Sequence, residues 1–364
     1  MVNIARKITV SSNQRQLARK EKLENHSETD KINISTTITS HQNATMLSPT
    51  DLAALLANNR SLIIDGALAT ELETRGHDLS HALWSGKTLL EDPDSIRQVH
   101  LDYFLAGADV AITASYQASI RGLSEHLSLS EAQGRDLVAR SATLAQEARD
   151  QAYAAGVPAS RRLLVAGSVG PYGAYLADGS EYRGDYVCTA QEFQAFHRPR
   201  IAALLGAGVD LLALETIPSF PELKALLTLL QTEFPSATAW LGITLATPTT
   251  LSDGTALSEV LSFVSQYPQQ ILSFGLNCVP PQKALESLQH LRTLTELPLL
   301  CYPNSGETYV AGEHAWTGER STGQAMRESA GRFREAGAKL IGGCCRTTPE
   351  DIGNMAVALN GELK

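Results

Sequence analysis

No stretch of this 364-residue chain stays apolar for the ~20 residues that a membrane-crossing helix needs, and the N-terminus lacks the apolar core of a secretory signal. A cytoplasmic protein with no membrane partner is expected. Excess basic charge is missing too. The net charge is −9 and the pI about 5.5, which argues against a nucleic-acid partner, since phosphate-backbone binders need a basic face. The five cysteines, Cys188, Cys278, Cys301, Cys344 and Cys345, are odd in number and lack the spacing of a small disulfide-bonded domain, so reduced thiols are expected. No Gly-x-Gly-x-x-Gly turn follows the first apolar run, which weakens a Rossmann reading. The segment HDLSH, with His77 and His81 four apart, lacks the glutamate of a metalloprotease helix and reads as structural. Clustered His and Asp ligands of a metal-assisted hydrolase are absent as well.

What is present is an ordinary globular composition, 43% hydrophobic and 19% charged. Residues 1–46 show no sustained hydrophobic period and are rich in Ser, Thr, Asn, Gln, Lys and Arg, the composition of a disordered extension. Its first twenty residues carry Arg6, Lys7, Arg15, Arg19 and Lys20 without an acid, loosely in the manner of a targeting peptide. A nonfunctional extension upstream of Met46 is the preferred reading. Residues 47–364 are then a single domain.

From Asp51 onward a short apolar, β-prone run is followed by a turn and a longer stretch with helical spacing, eight times over. The runs are Leu62 to Asp65, Val110 to Ser115, Leu163 to Val169, Leu211 to Glu215, Trp240 to Leu245, Ile271 to Asn277, Leu297 to Tyr302 and Lys339 to Gly343. Between them, DPDSIRQVHLDYFLAGA opens on Asp92 and Pro93 and closes on Gly107, as a capped helix does. Strands alternating with helices imply parallel pairing. Eight repeats in about 310 residues predict an α/β fold, a closed (β/α)8 TIM-type barrel, with an open doubly wound sheet as the competitor.

A barrel carries its functional groups at the C-terminal ends of its strands. Those ends here are Asp65-Gly66-Ala67, TASYQAS from Thr113, GSVGPYGAYLADGSEYRGDY from Gly167, LETIP with Glu215, GLNC with Asn277 and Cys278, YPNSGE from Tyr302, and GGCC from Gly342. Cys278 would end strand six and the Cys344–Cys345 pair strand eight, two strands apart on the rim. Three thiolates converging there would suit Zn²⁺ with a fourth position open. On spacing alone, a redox-active Cys344–Cys345 disulfide and simple packing stand beside zinc. Cys188 and Cys301 read as small core residues. Asp65 and Glu215 could be helix caps. Tyr172, Tyr175, Tyr182 and Tyr186, with Trp84, could be core aromatics or a surface for a cationic ligand.

From Leu52 to the end the chain resembles the zinc-dependent homocysteine S-methyltransferases, in particular the branch that uses S-methylmethionine. The strings that carry this are DGALATELETRGHDL, LWSGKTLLEDPDSIRQVHLDYFLAGADVAITASYQAS, AGSVGPYGAYLADGSEYRGDY, LETIP, GLNC, YPNSGE and GGCCRTTPEDI. The resemblance implies a (β/α)8 barrel whose Zn²⁺ is held by Cys278, Cys344 and Cys345. It implies that Asp65, Gly66 and Thr113 line the homocysteine site, with Asn277 beside them, and that Glu215 receives the substrate ammonium group. The implied substrates are homocysteine and S-methylmethionine, with S-adenosylmethionine as an alternative donor and selenohomocysteine as an alternative acceptor. A monomer is expected. The non-enzymatic alternative is a redox-sensing barrel.

Overall fold

The computed structural model describes residues 46–79, 83, 85–310 and 315–361. The extension expected at the N-terminus therefore lies outside the described residues, apart from Met46, as do His81 and Trp84.

Eight parallel strands form one sheet, numbered here in chain order: β1 (Leu62–Ile63), β2 (Val110–Ile112), β3 (Leu164–Val169), β4 (Leu211–Ile217), β5 (Ala239–Ile243), β6 (Ile271–Asn277), β7 (Leu299–Tyr302) and β8 (Ala338–Ile341). Each pairs with its sequence neighbour from β2 through β8, and β8 pairs with β1. The ring closes where Ile64 bridges Val110 in parallel, with the Asp65 amide donating to the Val110 carbonyl at 3.0 Å. The eight predicted runs are thus the eight strands of a (β/α)8 barrel. The fifth differs in detail: β5 ends at Ile243, and Leu245 instead opens a short antiparallel hairpin, Leu245–Thr247 with Thr250–Leu251.

Alternation along the strands separates two apolar cores. Leu62, Ile64, Val110, Leu164, Ala166, Leu211, Ala213, Trp240, Leu300 and Leu340 fill the barrel interior, while Ile63, Ala111, Val165, Leu212, Leu214, Leu241 and Ile341 pack outward against the helices. All seven residues of β4 and of β6 are buried, as parallel strands covered on both faces must be.

Helices follow the signals in the sequence. Pro93–Ala106 starts at Asp92, whose carboxylate accepts from the Ser95 amide, and stops at Gly107 with φ 124°. Ala190–Gly206 starts with a capping box between Thr189 and Glu192. No helix among the described residues is long and apolar enough to cross a membrane.

The bottom of the barrel is stoppered by the short helix Pro49–Leu55 and the residues before it. Leu47 and Leu52 enter the interior core. Leu47 is held by its amide on the Asp210 carbonyl at 2.7 Å and by its carbonyl on Thr238 Oγ1 at 2.8 Å. Beside it, Asp109 is buried and accepts from the Ile63 amide, Arg60 and Arg161, fastening β1 to β2. Leu47→Ala should lower the unfolding free energy by about 2–4 kcal/mol, the cost of a buried leucine side chain and its cavity. Urea titration checks this, and a loss below ~0.5 kcal/mol would show that Leu47 is not the stopper.

Candidate metal centre and active site

The end of β7 organises the site. Its Tyr302 carbonyl accepts the Cys278 amide at 3.2 Å, and the Pro303 carbonyl accepts the Cys344 amide at 2.8 Å. The Ser305 amide donates to the Cys345 carbonyl at 3.1 Å. One strand end thus anchors the turns after β6 and β8 on either side of it. The vicinal pair faces one way because the chain turns sharply: the Thr347 amide and hydroxyl both close on the Cys344 carbonyl, at 3.2 and 2.7 Å. The two glycines before the pair allow this. A Cβ on Gly342 would lie 2.5 Å from the Ile64 carbonyl oxygen, and one on Gly343 would lie 2.3 Å from Thr347 Oγ1. Cys278 itself adopts φ 55°, a left-handed conformation that a non-glycine residue holds at some cost.

The three sulfurs of Cys278, Cys344 and Cys345 lie within 4.8 Å of one another, and Cys278 Sγ is 3.5 Å from Cys345 Sγ. All five cysteines are free thiols, so no Cys344–Cys345 disulfide is formed. Hydrogen bonds from Cys344 and Cys345 hold the Cys278 thiol well below the usual thiol range, with Tyr182 adding to them, whereas their bonds to Cys278 push Cys344 and Cys345 up. The cluster therefore stabilises one thiolate among three sulfurs. A bound cation would be needed to ionise all of them. Cys301 is buried in β7 and faces the outer core, and Cys188 lies away from the cluster in the loop before Thr189.

Above the apolar floor lies a polar layer. Ser168 continues the inward face of Leu164 and Ala166, Glu215 that of Leu211 and Ala213, and Tyr302 that of Leu300. Glu215 accepts from Ser168 Oγ in a short hydrogen bond and from the Tyr302 hydroxyl at 3.2 Å, and Tyr302 accepts from Trp240 Nε1 at 3.2 Å. Burial pushes the Glu215 carboxyl up to about 7, with Ser168 and Tyr302 opposing the shift. Asp65 is buried as well and lies well above the usual carboxylate range, through burial first and then the nearby charge of Glu215, despite accepting the Ile112 amide at 2.9 Å. Neither acid is a helix cap. Thr113 Oγ1 accepts the Ser168 amide at 2.9 Å and meets Ser115 Oγ at 2.8 Å, tying β2 to β3. Asn277 clamps Thr216, accepting its amide at 2.8 Å and donating to its hydroxyl at 2.7 Å. In the structure Thr113 and Asn277 thus hold the strand ends in place, next to groups that face the mouth.

The loop after β3 supplies two groups that the strand-end reading had not singled out for the thiols. The Tyr182 hydroxyl is 3.4 Å from Cys278 Sγ. Glu181 is buried, one of its oxygens has no hydrogen-bond partner among the described residues, and burial lifts its carboxyl to about 7. An acid inside a glycine-rich strand-end loop was the available signal. Tyr172, Tyr175 and Tyr186 instead build an aromatic cluster with Phe193 and Phe196, the Tyr172 and Phe196 rings being 4.9 Å apart. Beneath it, the buried Glu222 accepts the Tyr172 amide at 2.6 Å, the Tyr186 hydroxyl and His197 Nε2. Arg200 donates to the Tyr116 and Gly170 carbonyls. That ionic core fixes the loop which delivers Glu181 and Tyr182.

A closed barrel with a thiol cluster and buried carboxyls at its mouth defines a class of barrel able to bind a soft metal and a cationic small molecule. The family model described as homocysteine S-methyltransferase matches residues 62–359. The homocysteine S-methyltransferase of Escherichia coli K12 is 53% identical over 301 residues, covering 83% of this chain and 96% of that protein. A selenocysteine methyltransferase of Astragalus bisulcatus is 40% identical over 323 residues, covering 84% and 95%. Among solved structures, the metallated form of the E. coli homocysteine methyltransferase MmuM superposes with a TM-score of 0.76 at 50% identity, covering 84% of this chain and 99% of that one. The chain belongs to the homocysteine S-methyltransferase family.

The raised Glu215 carboxyl has a consequence for stability. A carboxyl that binds its proton more tightly folded than unfolded contributes fully below its unfolded value of 4.5, and that contribution is lost as pH rises through about 7. Metal-free protein should therefore lose about 3 kcal/mol on this account between pH 4.5 and 8, and Glu215→Gln should flatten that part of the slope. Urea unfolding across the range checks it; an unchanged slope in the variant would contradict the assignment.

Proposed function

We propose that this protein transfers a methyl group from S-methylmethionine to homocysteine, giving methionine from both, with Zn²⁺ held by Cys278, Cys344 and Cys345. The observation that carries the reading is the convergence of three thiols at the mouth of a barrel of this family.

The donor set fits zinc. Sulfurs on a tetrahedral Zn²⁺ with bonds of about 2.3 Å stand ~3.8 Å apart. The sulfurs here are within 4.8 Å, with one pair at 3.5 Å, close to that spacing. Thiolates favour zinc over magnesium or calcium. When bound, the ion would supply a Lewis-acid site that lowers the pKa of the acceptor thiol from ~8.5 and so provides a thiolate at neutral pH.

The protein's own residues do the rest. Glu215 is set to receive the homocysteine ammonium group, and the arriving cation would draw its carboxyl, poised at about 7, into the ionised form. Asp65 stands behind Glu215 as a second buried acid at the same mouth. Glu181, the neighbour of the Tyr182 that reaches Cys278, offers an unpartnered oxygen suited to a cationic group of either substrate. The Tyr182 ring adds an aromatic face for the sulfonium. Attack of thiolate on sulfonium annihilates charge and yields two neutral thioethers, so the burial of Cys278, Asp65, Glu181 and Glu215, which limits water around the reacting groups, favours the step. Holding the attacking sulfur about 3–3.5 Å from the methyl carbon, in line with the donor's carbon–sulfur bond that breaks, supplies the entropic part.

The likeness to a selenocysteine methyltransferase favours selenol acceptors as a second activity, since a selenol ionises more readily than a thiol.

Replacing Cys278, Cys344 or Cys345 with Ala should remove zinc and methyl transfer together, with activity falling at least ~1000-fold, in the range expected when a nucleophile-generating metal is lost. Metal analysis beside the assay checks this, and full activity in a zinc-free variant contradicts it. In a steady-state comparison at matched concentration, S-methylmethionine should give a kcat/KM at least ~10-fold above that of S-adenosylmethionine; the reverse order would assign the other donor.

A further inference from the structure

Seven described non-glycine residues have positive φ, and three of them, Thr216, Cys278 and Arg346, lie at strand ends around the site. Thr216 is clamped by Asn277, and Cys278 is one of the three clustered thiols. Arg346, at φ 66°, directly follows Cys345. Glycine would hold this conformation without strain, so an arginine here points to a use for its side chain.

The guanidinium is tethered to the thiol turn by a short ring of contacts. The Ser305 amide donates to the Cys345 carbonyl at 3.1 Å, and Ser305 Oγ donates to Glu307 Oε2 at 3.0 Å. Glu307 Oε2 in turn accepts Arg346 Nε at 3.2 Å. The Arg346 amide donates to Thr70 Oγ1 at 3.2 Å. With Nε spent on Glu307, the Nη1 and Nη2 edge donates to no described residue, and the side chain is 33% exposed. That edge is the fork that grips a carboxylate with two parallel hydrogen bonds.

Other cations near the mouth are already committed. Arg200 is buried on the Tyr116 and Gly170 carbonyls, Arg183 pairs with Asp185, and Arg320 pairs with Asp351. The buried carboxyls at the mouth, Asp65, Glu181 and Glu215, suit ammonium and sulfonium rather than a carboxylate. Each substrate of the proposed reaction is an amino acid that also brings a carboxylate.

We infer that Arg346 binds the α-carboxylate of an amino-acid substrate at the mouth, with Glu307 orienting the guanidinium, an assignment that rests on the methyl transfer proposed above. Arg346→Gly is the decisive variant, because glycine relieves the backbone rather than straining it; Arg346→Lys keeps the charge and loses the fork. Holoenzyme is assayed with homocysteine and S-methylmethionine, and with each replaced in turn by its analogue lacking the carboxylate, 3-aminopropane-1-thiol and (3-aminopropyl)dimethylsulfonium. In the unmodified protein, removing the carboxylate that Arg346 binds should lower kcat/KM roughly 10- to 100-fold, the span of a charge-assisted pair. In Arg346→Gly the same removal should matter less than ~3-fold, with Arg346→Lys between the two. The thiol arm losing its discrimination identifies the acceptor's carboxylate, and the sulfonium arm the donor's; either supports the inference. Discrimination at the unmodified level in both arms overturns it. So does an Arg346→Gly protein that loses its metal or melts several degrees lower, which would mark the side chain as a structural partner of Glu307. An unmodified protein that transfers no methyl group to homocysteine would instead overturn the proposed function.

Discussion

The backbone at the end of β7 is the constraint on which the site depends. Cys278 and the Cys344–Cys345 pair belong to strands that are not neighbours, and thiols 66 residues or more apart meet only because β7 lies between β6 and β8. Its carbonyls at Tyr302 and Pro303 take one amide from each side. The same strand sends the Tyr302 hydroxyl to Glu215, so the thiol cluster and the carboxyl share one anchor.

Burial sets the electrostatics of the mouth. Asp65, Glu181 and Glu215 have few hydrogen bonds relative to the solvation they lose, and burial raises all three carboxyls, those of Glu181 and Glu215 to about 7. Such groups are costly to ionise until a cation arrives. An arriving cation favours their ionised form, so cationic substrates are favoured over neutral ones of similar shape. The thiol cluster behaves in the same way, with one sulfur easily ionised and the other two resisting until a metal balances them.

Much of this was legible in the sequence. The strands could be read because each is a short apolar run buried on both faces, and the helices because their caps are local, as Asp92 and Gly107 show. The candidate ligands could be read from the barrel rule that places function at strand ends. What escaped depends on contacts between distant segments. Glu181 looks like any loop acid in the sequence, and only the fold buries it, next to the Tyr182 that reaches Cys278. Tyr172 and Tyr186 looked suited to a cation, but Phe193, Phe196 and Glu222, from two following helices, claim them. Asp65 and Glu215 look like caps in a linear reading, and only the barrel buries both of them. Nothing local marks the stopper, because Leu47 and Leu52 give no periodic signal before the first strand.

The central claim is that three protein sulfurs form an incomplete zinc shell which the substrate sulfur completes. X-ray absorption at the zinc edge, recorded on the holoenzyme with and without homocysteine, tests it most directly. The account predicts three sulfur neighbours at about 2.3 Å plus one lighter ligand in the free enzyme, and four sulfurs once homocysteine is bound. Four protein-derived sulfurs before substrate is added, or a count unchanged on adding it, would contradict it.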